Sequence, residues 1–183
     1  MKDIAIRPAL ESDFEAIWTI FHAHLVSGES YVFTTATTRE AGHQYWLGHG
    51  VRSFVAVTLA GRVLGMYRLV PNQVGRGRHV ANASFMVSPA AQGAGIGRMM
   101  GEHSLNEARS HGYLAMQFNH VVSTNGPAIG LWKKLGFSIV GTLPKAFRHK
   151  RLGYVDAYVM YQLLQDPDHW PTVDDAPIVM PHP

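Results

Sequence analysis

The chain contains no cysteine. That excludes disulfides, thiolate zinc sites and a cysteine nucleophile. No apolar run approaches the roughly 20 residues that a membrane-spanning helix needs, so no membrane partner is expected. The opening stretch MKDIAIRPAL lacks the apolar core of a signal peptide, and a soluble cytoplasmic protein is the expectation. Charged residues are few, at 16%, while hydrophobic residues reach 46%, which excludes a disordered chain. At 183 residues there is length for one domain with a core. The net charge is only +3, and the densest basic stretch, RLVPNQVGRGRH, has three Arg and one His without interleaved aromatics. A nucleic-acid partner is therefore not expected, and an anionic small ligand accounts for the bias. Eleven histidines invite a metal, yet no HExxH occurs. His22 and His24 are only two apart, and His43 and His49 have no carboxylates at ligand spacing. The metal expectation is none.

What is present has clear periodicity. DIAIRPAL reads as a strand ending near Pro8. Phe14, Ile17, Trp18, Phe21 and Leu25 follow at helical spacing, with Ser12 or Asp13 as the cap. The loop SGESYVFTTAT leads to a second helix opened by Thr37 or Thr38 and running to about Leu47. Two β-rich runs flank Ala60 and Gly61, a hairpin signal, and VANASFMV is a fourth strand. A glycine loop from Pro89 to Gly97 enters a third helix ending at Gly112. YLAMQFNHVV is a strand, NGPAIGLWKKLG a short helix with Pro127 in its first turn, and two strands close the domain. The order β-α-α-β-β-β-α-β-α-β-β makes this a mixed α+β domain over residues 1–164, its sheet antiparallel at the start. Residues 165–183 hold five prolines in nineteen residues, which excludes a helix or a central strand. They read as an extended tail, either disordered or draped over the domain or a partner by Trp170, Ile178, Val179 and Met180.

The loop PAAQGAGIGRMM asks for a phosphate. A helix N-terminus offers unpaired N–H groups and the positive end of its dipole, and glycine lets a ligand approach. A P-loop needs Lys and Ser or Thr after its glycines, whereas Gly97 is followed by Arg98. A dinucleotide fingerprint needs GxGxxG early in a βαβ unit, whereas Gly93, Gly95 and Gly97 form GxGxG in mid-chain. The third pattern, Gln or Arg, two residues, Gly, one residue, Gly or Ala, fits Gln92, Gly95 and Gly97 after a strand.

With that loop, NGPAIGLWKKLGFSIVGT and YVDAYVM fall in order along Ile4 to Leu164. Together they resemble the GCN5-related N-acetyltransferases, the GNAT family, which bind acetyl-CoA. The resemblance implies the GNAT fold: a mixed, mostly antiparallel sheet of about seven strands splayed between strands 4 and 5, with about four helices. It implies that Gln92, Gly93, Ala94, Gly95, Ile96, Gly97 and Arg98 hold the CoA pyrophosphate. It places Phe85, Met86 and Val87 along the pantetheine, with the Val87 amide polarising the thioester carbonyl. Asn125 falls where the family has an Asn on the pantetheine arm, and it also reads as a helix N-cap. No metal is required.

Two departures follow. Many members carry a Tyr on the short helix as the acid; here Trp132 stands there, and it packs or lies against the cosubstrate. The amino-acid-acetylating branch, exemplified by phosphinothricin acetyltransferases, tends to carry a Glu in strand 4; here Asn82 stands there. No carboxylate occurs between Arg62 and Glu102. The text HVANASFMV, FNHVVSTN and LWKKLGF resembles the branch that acetylates L-azetidine-2-carboxylate and other proline analogues. Asn82 and Asn119 are then the catalytic, substrate-orienting amides, and Tyr31 and Phe33 wall the acceptor. Softer candidates are Glu29, Arg76, Arg78 and His79 for substrate, Lys133 and Lys134 for CoA phosphates, and Tyr154 or Tyr158 for a hydroxyl. The resemblance implies an acetyl-CoA-dependent N-acetyltransferase of a small amine, a homodimer serving detoxification. The alternatives are a phosphinothricin- or methionine-sulfoximine-type enzyme, a peptide N-acetyltransferase, and a non-enzymatic CoA-binding sensor.

Overall fold

The structure is a computed structural model that describes residues 4–170. Its elements run β1 (Ile4–Pro8), α1 (Phe14–Ser27), α2 (Arg39–Leu47), β2 (Arg52–Thr58), β3 (Val63–Pro71) and β4 (Val80–Val87). Then come α3 (Ile96–Ser110), β5 (Ala115–Val122), α4 (Gly126–Lys134), β6 (Ser138–His149) and β7 (Gly153–Leu163), with short 3-10 turns between. The seven strands form one sheet in the order β1-β2-β3-β4-β5-β7-β6. Every pair is antiparallel except β4 with β5.

Helices cover both faces, because the central strands are apolar on both. On one face Val55, Val57, Met66 and Met86 receive Ile17, Ile20, Phe21 and Leu25 of α1 and Trp46 of α2. On the other, Phe54, Tyr67, Leu69 and Met116 receive Ile96, Met100 and Leu105 of α3 and Trp132 of α4. Thr38 caps α2 by accepting from the Ala41 amide. Asp13 sits at the α1 cap position, yet its carboxylate does not bond the α1 amides. It accepts instead from the Arg7 guanidinium at 2.7 and 2.9 Å and from the Leu10 amide at 2.8 Å. That pairing holds the Asp13 carboxyl below its usual range, and the cap gives way to a charge-assisted bond across to β1.

β6 is an edge strand, so Pro144 within it breaks no central ladder. Of the expected tail, only residues 165–170 lie among those described; there Trp170 sets its ring 5.5 Å from that of His79. Ile178, Val179 and Met180 lie outside the described residues.

The parallel pairing of β4 with β5 decides the position of the site. It joins only Val80 to Ala115, Ala81 to Met116 and Asn82 to Gln117, and then stops. Past Asn82 the two strands diverge and the sheet forks, as the resemblance implies.

Candidate active site

The fork opens onto a cavity of about 190 Å³. Phe85 and Phe118 lie on its two strands, and the ring of Trp132 stands 4.7 Å from each. Trp132 is 7% exposed and packs also on Phe137, so at this position it fills the fork as a wedge. Tyr31 and Phe33 from the α1–α2 loop, Tyr45 from α2, Asn125 at the α4 N-cap and Ala128 of α4 also line the cavity. Phe33 is fixed by edge contacts with Phe21 and Tyr45. The loop itself is tied across to the β6–β7 turn. Glu29 pairs with Arg151 at 2.6 Å, and the Gly28 carbonyl accepts from the Lys150 amide.

Backbone direction in β4 follows from two bonds. The Asn72 amide donates to the Val80 carbonyl, and the Ser88 amide donates to the Leu64 carbonyl. Even-numbered residues of β4 thus aim their backbone groups at β3, and Ala83, Phe85 and Val87 aim theirs at the fork. Two carbonyls there are taken by side chains. Tyr31 donates its hydroxyl to Phe85, and His24 Nε2 donates to Val87 at 2.9 Å. The Val87 amide therefore faces the fork, where the ladder to β5 has ended. Met86 is turned the other way: its backbone pairs with Met66, and its side chain is 1% exposed within the α1 cluster. Neither part of it reaches the place the resemblance gave it. Burial pushes the Tyr31 phenol well above its ordinary value, so it remains a neutral donor.

Asn82 and Asn119 both line the cavity, and both have partners within the chain. Asn82 Nδ2 donates to the Gln117 carbonyl at 2.9 Å, clipping the last rung before the fork. Asn119 accepts from Gln117 Nε2 and donates to Asn72 Oδ1, each at 2.7 Å. Asn125 lines the cavity while its Oδ1 caps α4 through the Ala128 amide.

The glycine loop lies beyond Val87. Gly93 and Gly95 have φ of +78° and +77°, a conformation that L side chains resist. Gly95 is the α3 N-cap and offers no side-chain bond. The first carbonyl of the helix, Gly95, receives Met99, which leaves the amides of Ile96, Gly97 and Arg98 without an intrahelical acceptor. Ile96 is buried and pins the turn, whereas Gln92 to Gly95 are exposed. The Ala94 amide is partly committed, donating to the Ala91 carbonyl at 3.4 Å. The Arg98 side chain pairs with Glu102 on the exposed face of the helix.

Other candidates fall elsewhere. Arg76, Arg78 and His79, Lys133 and Lys134, and Tyr154 and Tyr158 do not line the cavity. Tyr154 is 63% exposed at the start of β7.

Sequence reasoning missed two histidines. His24 acts on a strand 63 residues away, which no local pattern announces. His120 lines the cavity at a break in the β5–β7 register between Phe118 and Val121. Its signal was a His beside Asn119 where the apolar alternation of β5 fails.

The match to known proteins agrees with this geometry. The sequence model of the acetyltransferase (GNAT) family matches residues 14–137. N-acetyltransferase aca1 of Schizosaccharomyces pombe is 39% identical over 115 residues, which is 62% of this chain and 52% of that protein. L-amino acid N-acetyltransferase AaaT of Escherichia coli is 30% identical over 165 residues, covering 87% of this chain and 98% of its own. A solved GCN5-related N-acetyltransferase from Kribbella flavida is 40% identical, with a TM-score of 0.85 over 88% of this chain and 98% of that one. The chain spans about half the length, or less, of the first curated relatives it matches. With a forked sheet, an amide-rich helix entry and these matches in hand, the chain belongs to the acetyltransferase (GNAT) family.

Proposed function

We propose that this chain is an acetyl-CoA-dependent N-acetyltransferase of small amines, working by direct attack of the amine on the thioester. The observation that carries the reading is the cavity at the fork: about 190 Å³, walled by aromatic rings and side-chain amides. Pockets for drug-sized ligands measure about 300 to 1,000 Å³, and this cavity is smaller than those. An amino acid or a close analogue fits, and the name of the Escherichia coli relative points the same way. A secondary cyclic amine such as L-azetidine-2-carboxylate is our specific assignment, resting on Asn82 and Asn119 as neutral orienting groups. The tie between Glu29 and Arg151 holds the α1–α2 loop over one side, which disfavours a peptide.

The chain's residues fit the cosubstrate. The free amides of Ile96, Gly97 and Arg98 form an anion cradle at a helix start, and a Cβ at Gly93 would meet nothing within 4 Å. The Val87 amide is the donor for the thioester oxygen. Acetyl-CoA supplies the activated acyl group. The indole N–H of Trp132 is far too weak an acid to protonate the leaving group, so the thiolate leaves unassisted, its pKa resembling the roughly 8.5 of a free thiol. The setting is cytoplasmic detoxification. The partner is a second copy of this chain, for which the exposed Val140, Leu143 and Tyr154 beside the free β6 edge are the support. Sedimentation at the monomer mass overturns that assignment.

The test is CoA release at about pH 8, near the thiol's own pKa, with a panel of amines. It holds L-azetidine-2-carboxylate, cis-4-hydroxyproline, phosphinothricin, methionine sulfoximine, a polyamine and a short peptide. Turnover confined to the proline analogues is expected. Turnover on phosphinothricin or methionine sulfoximine instead replaces the acceptor and keeps the reaction. No turnover on any amine, with acetyl-CoA still raising the melting temperature, makes the chain a CoA-binding sensor.

A further inference from the structure

The proposed reaction must remove a proton from the attacking nitrogen, and the cavity is poor in groups to take it. Among the described residues, no Asp, Glu, Lys or Arg lines it. Its titratable side chains are Tyr31, Tyr45 and His120. Tyr31 is held neutral by burial and spends its proton on the Phe85 carbonyl. Tyr45 shares a 2.8 Å bond with Ser84. His120 remains. Its Nε2 is shut off from solvent and has no hydrogen-bond partner among the described residues. Substrate does not reach that buried nitrogen, so His120 acts through the side of its ring that lines the cavity.

The surroundings keep this imidazole uncharged. Burial lowers its pKa, and no charged side chain contributes to the shift. Phe147 of β6 lies 6.0 Å from its ring, and His149, two residues on, accepts from the Arg151 and Leu152 amides. Tyr31, at the cavity wall, is a neutral phenol. The register break in β5 spans His120 and its sequence neighbour Asn119, the amide assigned to orient the acceptor, and both line the cavity.

We infer that His120 is the general base, the imidazole accepting the proton of the attacking amine directly or through one water. The inference rests on the acetyltransferase reading above. The neutral amine nitrogen bonds to the thioester carbonyl carbon, and the C–S bond breaks with its electron pair leaving on sulfur. The nitrogen's surplus proton passes to His120, which then returns it to the thiolate or to solvent. The balance needs no other reactant.

The experiment compares the wild-type chain with His120→Gln and His120→Asn on the best amine of the panel, recording kcat against pH. The wild type is expected to lose kcat as pH falls through a value below the ordinary 6.5 of histidine, because the protonated base cannot accept. Both variants are expected to fall by about 10²- to 10⁴-fold in kcat and to lose that acidic limb. They should keep the melting-temperature rise with acetyl-CoA, which shows that they fold and bind. Free imidazole added to a smaller variant, His120→Gly, should restore part of the rate. Variants within threefold of the wild type, with the acidic limb intact, overturn the assignment of His120 and leave the acetyltransferase reading standing. A wild type inactive on every amine overturns both.

Discussion

The two ends of the candidate site are made of different material. At the entry to α3 the working parts are backbone amides, set by glycines at Gly93 and Gly95 within a dozen residues of chain. At the fork they are side chains from α1, the α1–α2 loop, α2, β4, β5 and α4, brought together over long sequence separations. The first end depends on local conformation and tolerates change elsewhere. The second depends on packing, so a substitution in one element disturbs what the others present. An anion cradle is a generic device, while the acceptor end must differ wherever the acceptor differs. Experiments can break that contrast by showing that fork substitutions act at the loop, or sharpen it by separating the two.

Trp132→Ala should give the largest effect on stability. The ring is nearly buried and contacts Phe85, Phe118 and Phe137, so truncation leaves a void at the base of the fork. A loss of about 3–5 kcal/mol in denaturant unfolding is expected. If Trp132 acts mainly on the cosubstrate, the loss will instead lie in the KM for acetyl-CoA with the unfolding midpoint little moved.

Tyr31→Phe comes next. It removes one hydroxyl and leaves the Phe85 carbonyl without its partner at the fork. The cost should be about 1–3 kcal/mol if water cannot replace the hydroxyl. Since Tyr31 lines the acceptor side, the KM for the amine should rise while acetyl-CoA binding, read by calorimetry, stays near its wild-type value. Equal losses for both substrates would erase the division between the two ends.

These contrasts also explain what was legible in the sequence. Element order and the glycine loop could be read because periodicity, Thr38, Pro127 and the glycines are local signals. The α1 cap could not, because Asp13 is drawn to Arg7 on a neighbouring element. Asn82 and Asn119 could be placed at the fork by motif, but their partners Gln117 and Asn72 come from strand pairing and a loop. His24 carried no pattern of its own, and His120 depended on a register break that strict alternation does not foresee. Met86 was misplaced because the motif gives a strand position without saying which edge its backbone faces.

The smallest effect discriminates best. Gly97 lies in the first turn of α3 and, unlike Gly93 and Gly95, has no positive φ. A Cβ there would meet Leu131 Cδ2 at 3.4 Å and Val87 Cγ2 at 3.8 Å, which is ordinary contact. Nothing in the fold therefore demands glycine at this position. Alanine is the better helix former, and Gly97→Ala should stabilise the chain by up to about 1 kcal/mol. If the bare backbone serves an approaching pyrophosphate, the same variant should bind acetyl-CoA more weakly, so that melting temperature and affinity move in opposite directions. Gly95→Ala should lower both, because its φ of +77° strains any side chain. A Gly97→Ala variant that is more stable and binds acetyl-CoA as tightly as the wild type would remove Gly97 from the cradle. The amides of Ile96 and Arg98 would then be left to hold the anion.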